Sequence, residues 1–365
     1  MALSRFKIGD LIDSINVKCN ITNLTVYEVS GINRDKEFFS PAIQVGQDTS
    51  SYKIVPPNHF ACNLMHVGRD IVIPVSLNRT GKDIIVSPAY SVFRITRNDI
   101  ILDEYLFMVF KKVDFDRYAA FCTDSSVRDG LEWNRFLDIE LDLPSVKVQQ
   151  KVVDVYLAMV ANQKVYEKGL DDLKITYEAY IENLRRTSEQ VKIGSYIEKR
   201  VEKNTIRIDI VKGISKDGFI NPNQSSSDDL SSYKLVKKGD FVFSPPRINI
   251  GSIGLWNEDY DCVCSPIYEV FYCSSEKLIN EYLFIWLKRD EFFRYTGFHS
   301  IASVRNNFDF DMLSELEIPI PKLSIQKSIV SVYRAYQERK KINDELKKKI
   351  NEICSVLIKG SIDLN

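Results

Sequence analysis

"DEYLFMVFKKVDFDRY" occupies residues 103–118, and "NEYLFIWLKRDEFFRY" occupies residues 280–295. Eight of the sixteen positions are identical, and the second stretch starts 280 − 103 = 177 positions after the first. The apolar spacing in each predicts a short helix, with Tyr105, Leu106, Val109 and Phe110 on one face of the first. A single match of this length could be local. The flanking sequence decides whether a whole module is written twice.

The flanks repeat in order. "FKIGDLI" (6–12) pairs with "VKIGSYI" (191–197), and "SGINRDKEFFSP" (30–41) with "KGISKDGFINP" (212–222). "SYKIV" (51–55) pairs with "SYKLV" (232–236), and "SPAYSVF" (87–93) with "SPIYEVF" (265–271). Downstream, "SVRDGLEW" (126–133) pairs with "SVRNNFDF" (303–310), and Pro144 and Gln149 with Pro321 and Gln326. The offset drifts only from 191 − 6 = 185 to 177. A unit of roughly 180 residues is far longer than a solenoid repeat, so each copy is a domain.

Both copies follow one plan. Short apolar runs cut by Gly, Pro, Asn and Asp predict strands, and "DIIVSPAYSVFRI" and "DCVCSPIYEVFYC" read as strands broken at Ser-Pro. With the short helices this gives a mixed α/β globule. A long helix follows each globule, beyond the strand–proline junctions "DIELDLPSVKVQQK" and "ELEIPIPKLSIQKS". The first helix carries the stripe Val148, Val152, Val155, Met159, Tyr166, Leu170, Leu173, Tyr177, Tyr180 and Leu184. The second carries Ile325, Ile329, Val332, Tyr336, Ile342, Leu346, Ile350, Ile353 and Leu357. Steps of three and four are those of a coiled-coil seam. Asn162 fills the one gap, as a buried register-fixing residue or a solvated break. The expected fold class is therefore α/β: two tandem globules, each followed by a long helix, the helices pairing as an antiparallel coiled coil that holds the globules at opposite ends of a rod. The predicted segments are 1–144, 145–187 (central helix), 188–321 and 322–365 (C-terminal helix).

Composition narrows the function. The formal net charge is −1, unlike a strongly basic nucleic-acid-binding domain, although local basic faces survive such a balance. No apolar run reaches the eighteen or so residues of a membrane span. The start, "MALSRFKIGD", lacks a signal-peptide pattern, so a cytoplasmic protein is expected. Seven scattered cysteines read as reduced thiols, and Cys262-x-Cys264 reads as strand packing rather than half a zinc site.

The tandem globule-plus-helix repeat, "KIGD" and "KIGS", and the junctions "IELDLPSVKVQQKVV" and "LEIPIPKLSIQKSIV" together resemble the specificity subunit of type I restriction–modification systems. The resemblance covers almost the whole chain. Leu-Asp-Leu-Pro departs from the family's usual junction, where the second copy has Ile-Pro-Ile-Pro. The resemblance implies two target recognition domains, each reading one half of a bipartite double-stranded DNA target. It implies that the paired helices act as a ruler, and that two DNA adenine methyltransferase subunits using S-adenosylmethionine are recruited. Motor-nuclease subunits using ATP and Mg2+ complete the family's restriction complex. For the subunit itself the resemblance implies no catalysis, no cofactor and no metal.

Candidate DNA contacts follow from the repeat. Arg128 and Arg305 sit in the same polar turn twice. A shared role such as phosphate grip suits them, against a structural ion pair to Glu132 or Asp309 or a base contact. Base readers belong where the copies diverge, in 63–83 and 244–261. There Asn63, His66, Arg69, Asn78, Arg79 and Lys82 face Arg247 and Asn249. Asn306 and Asn307 extend the second arginine turn. Lys53, Lys234, Lys237 and Lys238 are candidate phosphate contacts, which position without specifying.

Two alternatives compete. "SPAY" and "SPIY" superficially resemble the Asn-Pro-Pro-Tyr type of motif of adenine methyltransferases. Ser lacks the amide or carboxyl that chemistry needs, and no glycine-rich cofactor loop precedes it. The other alternative is a non-enzymatic coiled-coil scaffold with two protein-binding globules.

Overall fold

A computed structural model describes residues 3–123, 129–222, 229–300 and 307–363. The chain divides into two units, Met1–Tyr166 with Ile342–Asn365, and Glu167–Lys341. Each unit holds one globule together with parts of the two long helices, Val146–Thr187 and Leu323–Asp363. No described helix is long and apolar enough to cross a membrane.

In the first unit a four-stranded antiparallel sheet runs in the order Ile12–Ile15, Ser91–Ile95, Phe60–Cys62, Val75–Leu77. Ser4–Lys7 pairs with Glu140–Leu143, Gly31–Ile32 with Phe38–Phe39, and Lys53–Val55 with Ile84–Val86. Phe60 and Phe93 face each other across the sheet and stack at 5.0 Å. Such an aromatic pair contributes about 0.5–1.5 kcal/mol beyond its buried area. The helix Asp103–Phe110 opens with Asp103 and Glu104, which suit the positive helix end. Tyr105 through Phe110 are all buried, so this helix has no solvent face to alternate with, unlike the one-faced helix its spacing predicts.

The second unit repeats this topology. Its main sheet runs Ile197–Lys199, Glu269–Cys273, Phe241–Phe243, Ile253–Leu255. The three strand pairs recur as Gln190–Lys192 with Glu317–Pro319, Gly213–Ser215 with Gly218–Ile220, and Lys234–Val236 with Cys262–Cys264. Phe241 and Phe271 stack at 4.7 Å, at the positions of Phe60 and Phe93. Cys262 and Cys264 are fully buried, and burial pushes both thiols up to about 12.

The Ser-Pro breaks turn the chain from one sheet to the next. Tyr90 N bonds Ser87 O at 3.1 Å, and Tyr268 N bonds Ser265 O at 3.1 Å. Lys53 Nζ donates to Tyr90 O (2.6 Å) and Lys234 Nζ to Tyr268 O (2.5 Å), closing the same corner in both copies.

Both long helices enter the core of each unit. In the first unit Val152, Val153 and Tyr156 share a core with Ile350, Cys354 and Ile358. In the second, Ile181 and Leu184 share one with Ile329 and Val330, and the Tyr177 ring lies 5.5 Å from the rings of Tyr333 and Tyr336.

Candidate nucleic-acid interface

In each unit the divergent loop after the third sheet strand lies against the chain that follows the arginine turn. In the first unit Leu131 N donates to Leu64 O, and Gly68 N to Asp129 O, both at 2.9 Å. In the second, Phe308 N donates to Pro245 O at 3.1 Å. Arg128, Arg305 and Asn306 themselves lie outside the described residues. Asn307 is described and half-buried, with interactions of its own.

The first loop is a single helical turn, Val67–Asp70, with left-handed residues at both ends: His66 at φ 63° and Ile71 at φ 51°. A β-branched residue rarely adopts that region, and such strain concentrates at functional sites. Asn63 Oδ1 accepts from Met65 N at 3.0 Å and sets the approach. Arg69 pairs with Asp70 at 3.1 Å, and Arg34, from the Gly31–Phe39 hairpin, reaches Asp70 at 3.4 Å. These guanidiniums hold the Asp70 carboxyl below the usual carboxylate range, through the Arg69 bond first. Both arginine heads stay largely in solvent.

The second loop holds the short turn Ile248–Ile250, closed by Gly251 at φ 91°. A side chain there would be strained, and its Cβ would stand 3.3 Å from the Phe293 ring. Arg247 and Asn249 are exposed, and among the described residues neither side chain has a hydrogen-bond or charge partner. Lys288 Nζ donates to the carbonyls of Lys216 (3.0 Å) and Gly251 (3.2 Å), tying the hairpin turn to this loop.

Most of the remaining predicted contacts pair within the protein, while the Lys82 side chain is exposed. Arg79 pairs with Glu104, its Nε 2.6 Å from Oε1, and lies 4.2 Å over the Phe107 ring. Asn78 is buried and donates to the carbonyls of Val55 (2.8 Å) and Lys82 (2.7 Å). Lys53 and Lys234 close the corners described above. Lys237 pairs with Glu202 at 2.8 Å, and Lys238 pairs with Asp259. Asp309 accepts from Met312 N at 2.9 Å as a helix cap. The structure therefore gathers Asn63 and Arg69 on one loop, and Arg247 and Asn249 on the corresponding loop of the other unit.

Two residues at this surface escape a search for polar DNA contacts. Phe121 and Phe298 are 85% and 76% exposed, each near the end of the helix that packs on the loop. Their separation, 298 − 121 = 177, is the repeat offset, which is the signal that finds them. Among the described residues no group of three or more His, Cys, Asp or Glu side chains is placed to hold a metal ion.

Residues 186–352 match a family described as "Type I restriction modification DNA specificity domain". The chain is similar to type I specificity subunits. The HindI specificity subunit of Haemophilus influenzae is 26% identical over 132 residues, 35% of this chain and only 28% of that relative's length. The S subunit of a type I restriction-modification system from M. genitalium shares the fold, with a TM-score of 0.59 at 9% identity. The match covers 99% of this chain and 96% of that one. The specificity-domain match spans the second copy. The first copy is linked to it by the shared strand order and by the paired corners.

Proposed function

We propose that this chain is the DNA-reading specificity subunit of a type I restriction–modification complex. Each globule reads one half of a bipartite target through its loop-and-turn surface. One observation carries the reading: the same surface is built twice, and the side chains differ where bases would be read. His66, Gly68 and Arg69 on one loop stand against Arg247, Asn249 and Ile250 on the other. Arginine can grip a guanine edge bidentately and asparagine an adenine edge. Exposed, and without a side-chain partner among the described residues, Arg247 and Asn249 are the strongest base readers on this surface.

Shared features suit shared tasks. Arg128 and Arg305 would grip backbone. Phe121 and Phe298 would each lay an apolar ring against a base step, a contact that needs no sequence. The long helices, 42 and 41 residues, would set the spacing between half-sites as an antiparallel coiled coil. At 1.5 Å per residue each spans about 60 Å, against about 34 Å for one DNA turn. Adenine methylation with S-adenosylmethionine would belong to partner methyltransferase subunits, and ATP- and Mg2+-dependent cleavage to motor-nuclease subunits.

The direct test is binding to duplexes bearing the split motif found by methylation sequencing. The account expects tight, salt-sensitive binding to the intact motif and weak binding when either half is scrambled. Equal affinity for scrambled duplexes would favour the scaffold reading instead.

A further inference from the structure

We infer that Gln163 and Asn343 form a register lock for the long helices, and so are positioning residues for the spacing of the DNA target. The inference rests on the function proposed above.

Gln163 Nε2 donates to Asn343 Oδ1 at 2.9 Å, with the residues only 7% and 4% exposed. Both belong to the first unit. Gln163 stands in the seven-step run Gln149, Tyr156, Gln163, Leu170, Tyr177, Leu184, whose members are buried or half-buried. Asn343 stands in the run Ile329, Tyr336, Asn343, Ile350, Leu357. Asn162, the polar residue that the spacing puts in the gap, is exposed. Gln149 is also polar, but its amide is spent on its own globule. Gln163 and Asn343 supply a direct amide–amide bond between the two helices.

Apolar seams tolerate sliding by a whole heptad, because one branched or aromatic side chain replaces another. This pair does not. A slide of seven residues would put Gln163 against Tyr336 or Ile350 and leave two buried amides unpaired. An unpaired buried amide is far costlier than a paired one is favourable. Of the alignments a heptad apart, the bond therefore admits one. A heptad corresponds to about 10.5 Å along the axis. That is about three base-pair rises of 3.4 Å.

The test replaces both amides by leucine, Gln163→Leu with Asn343→Leu. Apolar replacement of a buried polar pair keeps or raises stability, so the thermal midpoint should hold. The single variants strand one amide and should melt lower. Binding is then measured on duplexes whose spacer is varied by up to three base pairs either way. The parent chain should prefer one spacer by at least about tenfold, and the folded double variant should lose most of that preference at unchanged cognate affinity. Spin labels at the exposed positions Val165 and Glu345 give a readout without DNA: one narrow distance in the parent, several in the double variant. A double variant with a single distance and undiminished spacer preference would overturn the lock. Multiple label distances in a parent chain would overturn it too. A parent with one label distance but no spacer preference would instead overturn the ruler reading, and with it the role in spacing.

Discussion

Gln326 makes, 177 residues later, the same three hydrogen bonds as Gln149. Gln149 Nε2 donates to Ile100 O (2.7 Å) and Pro144 O (2.9 Å), and its Oε1 accepts from Leu102 N (3.1 Å). Gln326 Nε2 donates to Lys277 O (2.8 Å) and Pro321 O (2.8 Å), and its Oε1 accepts from Ile279 N (2.9 Å). Both are fully buried at the start of a long helix. Each therefore joins the strand–proline junction to the entry of the buried helix in its own unit.

Gln149→Leu or Gln326→Leu should each destabilise by about 2–4 kcal/mol, because buried backbone groups lose their partners. Urea unfolding checks this. Equal losses in the two copies are expected, since the bonds are the same.

Arg247→Ala should relax one base position and cost about 1–3 kcal/mol of binding, with stability unchanged. Lys234→Met should do the reverse, losing about 1.5–3 kcal/mol of stability as Tyr268 O loses its charged donor. Titrations across single-base variants of the target, paired with thermal melts, separate the two.

Phe121→Ala and Phe298→Ala remove exposed rings and should leave stability within about 0.5 kcal/mol. Binding should weaken by about 1–3 kcal/mol if each ring stacks on a base step. A 2-aminopurine probe at that step should lose its unstacking signal in the variant. Intact DNA binding with lost capture of the methyltransferase would move both residues to a protein interface.

These assignments show what the sequence makes legible. Residues identical at the repeat offset, such as Gln149 and Gln326 or Lys53 and Lys234, hold backbone groups that every copy of the fold must satisfy. Their identity exposed the two-domain plan without any coordinates. Helix phase was less legible. Val155 and Tyr180 are exposed, while the neighbouring Tyr156 and Ile181 are buried. A helix offers two adjacent positions per turn to a seam, and steps of three and four fit either. Charge partners were also hidden, because they are distant in sequence: Arg79 meets Glu104, and Lys238 meets Asp259. Strain at Ile71 has no sequence signature, since isoleucine is not a residue type that marks a left-handed position.

Acid stability should depend on Glu182. Bonds from Arg185 first, then Arg186, and from Arg289 of the same unit hold its carboxyl well below the ordinary 4.5. A depressed carboxyl contributes stability that is full above the unfolded value and is lost as pH falls below it. The parent chain should therefore lose thermal midpoint more steeply than Glu182→Gln below about pH 4.5. Parallel acid limbs would show that the cluster is screened away in solution.

The central claim is that two globules in one chain read two halves of one DNA target. Methylation sequencing of cells carrying this chain with the methyltransferase proposed as its partner tests it most directly. The predicted result is a single split adenine motif that vanishes when the chain is deleted, and that relaxes in one half alone under Arg247→Ala. A motif that persists unchanged without the chain would contradict the account.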